Sequence, residues 1–379
     1  MSRRKREMRR WTVLAALACT GVLGGCQTSR VDASKAHREA EPLHEAMDQL
    51  TEVMVYDIFS PPQASRVYAY ASIGAYETLR QGDSAYRSLA GQAKGLTPVP
   101  APPRDEQLSL PLAGVHAFMT VGRQLTFSRA RMDSLLAVMH ERFRRAGVPA
   151  PVMVRSIAYG DTVARHILAW AAGDGFTRSR GLPKYSVTPA SGRWIPTPPA
   201  YMDAIEPNWG TLRPFVMDSA SQFKPVPPLA FDTTRTSPFF REVLEAYEVG
   251  RALTEEQRAI AAFWDCNPYV MNVQGHTMFA TKKLTPGGHW MSIVRLAARK
   301  ADAGLVASAD AYARTAMALA DGFISAWEEK YRSNVVRPES VINAYVDEDW
   351  VPLLQTPPFP EHTSGHSVIS TAAAEATGI

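Results

Sequence analysis

Apolar residues recur at helical spacing along most of the chain, and this pattern predicts a protein built from α-helices. The spacing of three and four residues holds through segment 41–59, and segment 60–80 opens on Ser60-Pro61, a typical helix start. Further helices are predicted for a pair within 108–146 and for 151–173, 253–264, 286–300, 301–331 and a stretch beginning at 367. Alternating strand patterns are few, and no repeat of fixed period occurs. The expected fold class is therefore all-α, a helical bundle.

Proline marks the connections between these helices. The chain holds 28 prolines, many of them in stretches such as 96–107 (LTPVPAPPRDEQ), so we expect long Pro-rich loops. The longest irregular stretch, residues 174–237, repeats Pro, Gly, Ser and Thr. A loop of that length inside a compact protein is usually functional or wraps a surface. The 379 residues, 46% hydrophobic and 21% charged, are otherwise typical of a soluble globular protein with a substantial core.

The first residues have the composition of an export signal. A basic start (MSRRKREMRR) precedes a short apolar run (WTVLAALACTGVL) that falls short of the roughly 20 residues needed to span a bilayer. The LGGC at 23–26 resembles the bacterial lipobox, in which the cysteine, here Cys26, is lipidated and becomes the new N-terminus. We therefore divide the chain into a lipoprotein signal peptide at 1–25, a tether at 26–40 and a single α-helical domain at 41–379. An ordinary signal peptide or an uncleaved anchor is the alternative.

The residue after the lipidation site predicts a location. Gln27, rather than aspartate, follows Cys26. That sorting pattern favours the outer membrane in a host that has one. We therefore expect an exported protein, lipid-anchored to a bacterial membrane at its periplasmic face.

The basic character of the chain belongs to its signal. Residues 1–25 hold six of the 41 Lys and Arg and one of the 37 Asp and Glu, so the remainder has a net charge of −1. The sequence pI of 8.9 therefore gives no reason to expect nucleic-acid binding. Cys19 leaves with the signal and Cys26 is the lipidation site, so Cys266 has no disulfide partner. Its apolar setting, FWDCNPY, indicates a buried structural thiol, with a reactive thiol as the alternative.

The stretch KYRSNVVRP offers two cations to one anion. Lys330 is predicted at the end of a long helix, where its ammonium is a point charge, and Arg337 presents a planar fork to two oxygens. Pro338 disfavours helix at Arg337 and stiffens the chain there. Taken alone, two basic residues seven apart at a helix end are more often a solvated face.

The stretch TSGH, separated from Pro338 by 24 residues (339–362), supplies groups of another kind. Ser364 and Gly365 lie where a loop becomes the predicted helix SVISTAAAEA, and a helix N-terminus presents free N–H groups with partial positive charge. Gly365 lets the backbone approach closely, and His366 can transfer a proton near neutral pH. The tripeptide is common by itself. The order, the separation and the loop-to-helix setting of the two stretches together favour a site for a tetrahedral oxyanion.

Together the two stretches resemble the signature K-x-x-x-x-x-x-R-P, P-S-G-H, S-R-x-x-x-x-x-H. That signature is shared by the vanadium-dependent haloperoxidases and the type 2 phosphatidic acid phosphatase superfamily. The first block matches fully, and the second has Thr363 where proline is usual. The wider stretch 260–379 resembles bacterial secreted haloperoxidase-like proteins, and Phe359 matches the haloperoxidase aromatic that lies seven residues before the histidine. The N-terminal half resembles these proteins mainly in its helical character.

The resemblance implies roles for seven residues. Four of them would bind a vanadate or a phosphate, one would carry a proton, and two would line the pocket. They are Lys330, Arg337, Ser364 and Gly365 for the anion, His366 for catalysis, and Phe359 and His362 for the pocket lining.

The third block of the signature has no counterpart in the chain. It should follow Ser-Gly-His by some tens of residues, and thirteen residues remain after His366. Its arginine would be a third cation, and its histidine would bond vanadium or, in a phosphatase, attack phosphorus. We therefore expect a domain that is C-terminally incomplete, an axial metal-bonding histidine beyond residue 379, and little turnover from the 379-residue form. His276 and His289 lie in no motif, and we interpret them as ordinary loop or helix-edge histidines.

Three functions stay open at this point. A haloperoxidase would bind vanadate as its cofactor and oxidise a halide with peroxide. A phosphatase would use the same site for phosphomonoesters or lipid phosphates, without a cofactor. A non-catalytic lipoprotein with an incomplete anion site is the third alternative. The expected partners are these small molecules and a membrane, and no sequence feature indicates an oligomeric state.

Overall fold

The computed structural model describes residues 28–188 and 190–378, and the predicted signal peptide and Cys26 lie outside them. Within these ranges twelve α-helices and one β-hairpin form the fold, which confirms the all-α prediction. The helices are α1 (Thr28–Tyr56), α2 (Pro61–Leu79), α3 (Leu110–Leu125), α4 (Arg129–Arg145), α5 (Ala150–Ala172), α6 (Phe176–Arg180), α7 (Pro238–Arg251), α8 (Glu255–Trp264), α9 (Pro286–Lys300), α10 (Leu305–Ser333), α11 (Pro338–Tyr345) and α12 (Gly365–Thr377). The hairpin pairs β1 (Val270–Gln274) with β2 (Thr277–Thr281) in antiparallel register.

Helices α2 and α10 lie at the centre of the bundle. All residues of α2 except Gln63 are buried, and the helix packs against α3, α5 and α10. The approach of α3 to α2 depends on Gly114, because a Cβ there would lie 2.5 Å from Leu79 Cγ. Helix α10 contacts both α2 and α12. The chain that carries Ser364, Gly365 and His366 is thereby placed beside the helix that carries Lys330.

Helix ends follow the local chemistry of the sequence. Ser60 precedes α2 and its hydroxyl accepts a hydrogen bond from the Gln63 N–H. Thr254 and Gln257 form the capping box expected from LTEEQ at the start of α8. Helix α10 ends where Asn334 takes a left-handed conformation with φ of 51°. The chain therefore turns sharply just after Lys330.

The long loop 174–237 contains α6 and one 3₁₀ turn (Trp209–Thr211) and is otherwise irregular. Two tryptophans anchor it, since Trp194 and Trp209 are fully buried. The backbone N–H of Phe215 donates to Asp321 on α10 at 2.6 Å, and the N–H of Trp194 donates to the carbonyl that follows α10 at 3.2 Å. The loop thus wraps α10, which is one of the two outcomes that its length predicted.

Helix α1 begins at Thr28, so the segment 26–40, predicted as a tether, is helical over the part that the structure describes. From Ala40 onward this helix is largely buried and packs against α3, α4 and α10. No helix among the described residues combines the length and the apolar character that crossing a bilayer requires.

Candidate oxyanion site

Six of the seven residues singled out in the sequence meet at one cavity of about 150 Å³. The cavity lies between the C-terminal part of α10, the turn after it and the loop that enters α12. The predicted residues that line it are Lys330, Arg337, Phe359, Ser364, Gly365 and His366. Ten others complete the wall: Pro61, Cys266, Asn267, Pro268, Tyr269, Pro286, Phe323, Trp327, Pro357 and Glu361.

Lys330 is buried in the last turn of α10, with 1% of its surface exposed. Its ammonium donates to the carbonyl oxygens of Pro360 and Glu361, each at 3.0 Å, which leaves one of its three N–H groups for a ligand. Burial and the neighbouring Arg337 charge lower the pKa of Lys330 well below its ordinary value, while Glu361 opposes that effect. A bound anion would favour the charged ammonium again.

Hydrogen bonds hold Arg337 in place through two of its three side-chain nitrogens. The residue is extended, with φ of −79° and ψ of 145°, and Pro338 begins α11 directly after it. Its Nε donates to the Phe359 carbonyl at 2.7 Å and its Nη1 to Glu361 Oε2 at 2.6 Å. The buried Nη2 has no hydrogen-bond partner within the part of the chain that the structure describes. Leaving such a group unpaired costs about 1–3 kcal/mol or more, and an oxyanion would remove that cost.

The start of α12 adds backbone donors. Ser364 is the N-cap, and its hydroxyl accepts from the Ser367 N–H at 3.2 Å. The N–H groups of the first turn, Gly365 among them, have no helical partners and concentrate partial positive charge at the cavity. A Cβ added to Gly365 would reach Trp327 at 3.6 Å, which is ordinary contact, so room is not what requires glycine here.

His366, an exposed residue, follows in the first turn of α12 and lines the cavity. Desolvation by its surroundings lowers the pKa of the imidazole, against the opposing effects of a hydrogen bond to the Trp264 backbone and of Asp265. The ring is therefore neutral at pH 7 and can accept a proton. Among the described residues that line the cavity, His366 is the only histidine.

Glu361 is a residue that sequence reasoning missed. Burial alone would raise the pKa of Glu361. The charges of Arg337 and Lys330 instead hold this pKa below its ordinary value. The carboxylate therefore stays charged and balances the two cations from the protein side. The sequence feature that could have identified Glu361 is its position in PEHTSGH, between Phe359 and Ser364.

Two aromatic rings, Trp327 and Phe359, form an aromatic wall of the cavity, and sequence reasoning identified only Phe359. Trp327 lies one helical turn before Lys330, so the i, i+3 spacing on α10 could have indicated it. Its ring centroid is 4.9 Å from that of Phe359. The Lys330 Nζ lies 4.9 Å from the Phe359 centroid and 5.9 Å from that of Trp327. The two rings cover the ammonium and exclude water from it, which strengthens its attraction for an anion.

The other predicted residues lie elsewhere. His362 lines a neighbouring cavity of about 310 Å³, which shares Glu361 and Ser364 with the first, and its Nε2 is 3.9 Å from Glu329 Oε1. His276 is an exposed residue in the hairpin turn. His289, on α9, has its Nδ1 3.4 Å from the Cys266 sulfur.

Cys266 is buried, as its apolar setting predicted, with 5% of its surface exposed. Burial raises the pKa of the thiol to about 11, so it is protonated at neutral pH. The structure also places this side chain against the anion cavity, which the sequence did not indicate.

Known proteins that resemble this chain share its fold. The family model described as the VCPO second helical-bundle domain matches residues 310–379, the part that carries both cation and Ser-Gly-His stretches. A bacterial vanadium-dependent iodoperoxidase matches with 46% sequence identity and a TM-score of 0.83, over 89% of this chain and 81% of its own. The chain belongs to the vanadium haloperoxidase superfamily. This confirms the resemblance drawn from the two stretches.

More distant members of the superfamily show the fold alone. Holo and apo structures of a bacterial vanadium-dependent chloroperoxidase match at 16% and 17% identity, with TM-scores of 0.58 and 0.59. They align over 85% and 87% of this chain and over 77% and 78% of their own. A search among curated proteins gave no match.

Vanadate is the cofactor that this superfamily implies, and the donor set of the cavity fits an oxyanion. Arg337 Nη2, which is unpaired among the described residues, the remaining N–H of Lys330 and the Gly365 N–H at the start of α12 are hydrogen-bond donors that an oxyanion could accept from. Within the described residues, no group of three or more His, Cys, Asp or Glu side chains could hold a bare metal cation. The cavity is thus chemically suited to vanadate or phosphate.

Proposed function

We propose that this protein is a vanadate-dependent haloperoxidase that oxidises iodide with hydrogen peroxide. The observation that carries the proposal is the 46% identity to an iodoperoxidase across 81% of that protein's chain. The chloroperoxidase structures, at 16% and 17% identity, are much more distant. The cavity supports the proposal because its cations, its backbone donors and His366 suit an anionic cofactor with a proton carrier beside it.

In this proposal, one group of residues stabilises negative charge and His366 transfers a proton. Lys330, Arg337, the Ser364 hydroxyl and the Gly365 N–H would hold vanadate, which when bound supplies a Lewis acid that activates peroxide toward halide. The two cations and the helix N-terminus are fixed before any ligand arrives, so they stabilise negative charge on its oxygens without reorganising.

His366 would handle the proton. Its neutral imidazole accepts a proton from the incoming peroxide and returns it to the departing oxygen as water forms. The net reaction consumes iodide, hydrogen peroxide and one proton, and gives hypoiodous acid and water. The aromatic wall of Trp327 and Phe359 limits water at the cations, which keeps their electrostatic effect strong.

Two assays of the purified protein distinguish this proposal from the phosphatase alternative. Iodide oxidation, followed as triiodide, should require added orthovanadate and should be lost in His366→Ala, while that variant still binds phosphate. Hydrolysis of p-nitrophenyl phosphate without vanadate, in the absence of any iodide oxidation, would instead assign the site to a phosphatase. Inactivity in both assays, with anion binding retained, would support a non-catalytic binding protein.

We also propose that the protein is exported and lipid-anchored through Cys26. The support is the basic start, the short apolar run and the LGGC at residues 23–26. The test is the distribution of the natural protein between membrane and soluble fractions. Cys26→Ser should move it to the soluble fraction or leave its signal uncut, and an unchanged membrane-bound, processed form would contradict the anchor.

A further inference from the structure

Two adjacent residues of the long loop, Ile205 and Glu206, connect separate parts of the cavity wall. We call this pair the Ile205–Glu206 step, and the proposed mechanism does not use it. The Ile205 carbonyl accepts hydrogen bonds from Trp327 Nε1 at 3.1 Å and from the Tyr331 hydroxyl at 2.6 Å. The Ile205 N–H donates to the carbonyl of Pro358 at 3.0 Å. One residue of the loop thus binds both α10 and the segment that carries the second aromatic ring of the wall.

Glu206 holds this step in place. Its side chain is buried, and its carboxylate accepts hydrogen bonds from the Ser60 hydroxyl at 3.2 Å, from Gln63 Nε2 and from the Arg180 guanidinium. Ser60 caps α2 immediately before Pro61, which lines the cavity. The backbone of Glu206 has φ of +53°, which residues other than glycine rarely adopt, so the surrounding bonds impose it.

The wall that this step orients is the wall that contacts the cations. The Phe359 ring centroid lies 4.9 Å from Lys330 Nζ and 4.9 Å from Arg337 Cζ. The Trp327 ring packs on Phe359 and is nearly fully buried. A shift of either ring would therefore change the surface on which both cations rest.

We propose that Glu206 is a positioning residue for the anion site. Through the Ile205 backbone it sets the orientation of the Trp327 indole and of the Phe359 segment, and through these rings the placement of Lys330 and Arg337. Glu206 does not line the cavity and would not touch the anion. The inference rests on the proposed function in taking an oxyanion as the ligand, whereas the orientation of Trp327 is independent of any ligand.

The test compares Glu206→Gln with a matched control. The glutamine keeps the size of the side chain and removes the charge that Arg180 and Gln63 bind. Asp203→Asn removes a charge from the same loop, where the carboxylate is exposed and lies 3.7 Å from the exposed Lys184. Each protein carries 5-fluorotryptophan, and the fluorine signal of Trp327 is assigned by its loss in Trp327→Phe. Inorganic phosphate, titrated by calorimetry, is the anion probe.

Glu206→Gln should displace the Trp327 signal and raise the phosphate dissociation constant by about 3- to 10-fold, as weakened cation–π contacts at two buried cations would do. Asp203→Asn should do neither. An unchanged Trp327 signal with an unchanged dissociation constant would overturn the proposal, even if the melting temperature of Glu206→Gln falls, because that result describes a purely structural role.

A second variant covers the case in which Glu206→Gln does not fold. Tyr331→Phe keeps the ring and removes one hydrogen bond to the Ile205 carbonyl. It should change the Trp327 signal in the same way but less, and a signal identical to that of the unaltered chain would overturn the proposal. If the unaltered chain binds no phosphate, the proposed function fails, and the Trp327 signal still decides the positioning role.

Discussion

Replacing Arg337 by alanine should weaken oxyanion binding by about 10- to 150-fold. The guanidinium already gives Nε–H to the Phe359 carbonyl and Nη1–H to Glu361, so the buried Nη2 is the donor left for a ligand. A hydrogen bond to a charged group contributes about 1.5–3 kcal/mol, and about 1.4 kcal/mol corresponds to a tenfold change in affinity.

The substitution also removes the ion-pair partner of Glu361, since Arg337 Nη1 lies 2.6 Å from that carboxylate. An unpaired carboxylate would repel an anion and would imitate the loss of a ligand. Arg337→Ala is therefore compared with Glu361→Gln and with the double variant. Glu361→Gln alone should strengthen anion binding, because it removes a negative charge from the wall of the cavity. In that background, Arg337→Ala should still weaken binding by about tenfold or more.

The assay is calorimetric titration of the 379-residue chain with inorganic phosphate, with thermal unfolding by circular dichroism to show that each variant is folded. Equal dissociation constants for the unaltered chain and Arg337→Ala would refute Arg337 as an anion ligand. A loss of affinity that disappears in the Glu361→Gln background would assign the effect to Glu361 and not to a missing donor.

Three further predictions concern the cap, the lysine and turnover. Ser364→Ala should lower the free energy of unfolding by about 1 kcal/mol and Ser364→Gly by a few tenths, while both weaken phosphate binding; a change in stability without a change in affinity would exclude the hydroxyl as a ligand. Because the pKa of Lys330 lies well below 10.5, its ammonium is present at low pH and is lost as pH rises through that depressed pKa. Sulfate binding should fall accordingly before the ordinary lysine range, and Lys330→Met should abolish this dependence; a decline that begins only near the ordinary lysine pKa would contradict it. His366→Ala should lower iodide oxidation in the presence of vanadate by about 100-fold or more, because His366 is the single histidine among the described cavity residues; an unchanged rate would refute its role as the proton carrier.

Sequence reasoning located the two stretches that line the candidate site because their geometry is local. Pro338 makes Arg337 extended, and the loop-to-helix change at Ser364 creates a helix N-terminus, whatever the rest of the fold does. Lys330 was predicted at the end of α10, and the helix ends three residues later. The long apolar helices of the bundle were equally readable from their spacing.

The rest of the site depends on contacts between distant segments. Ile205 and Trp327 are 122 residues apart, and no local pattern connects them. Cys266 was predicted as buried, but its position against the anion cavity follows from the packing of the segment after α8. His362 was expected at the pocket because it lies four residues before His366, and the turn of the chain into α12 instead directs it to the neighbouring cavity. Spacing along a loop does not fix the direction of a side chain.

The central claim is that Lys330 and Arg337 form, with the start of α12, a site for vanadate. Vanadium NMR of the chain with orthovanadate tests it most directly. A bound signal should appear that saturates at one vanadate per chain, is displaced by phosphate, and is absent from the Lys330→Met and Arg337→Ala variants. A spectrum that shows free vanadate alone, or a bound signal that both variants retain, would contradict the site.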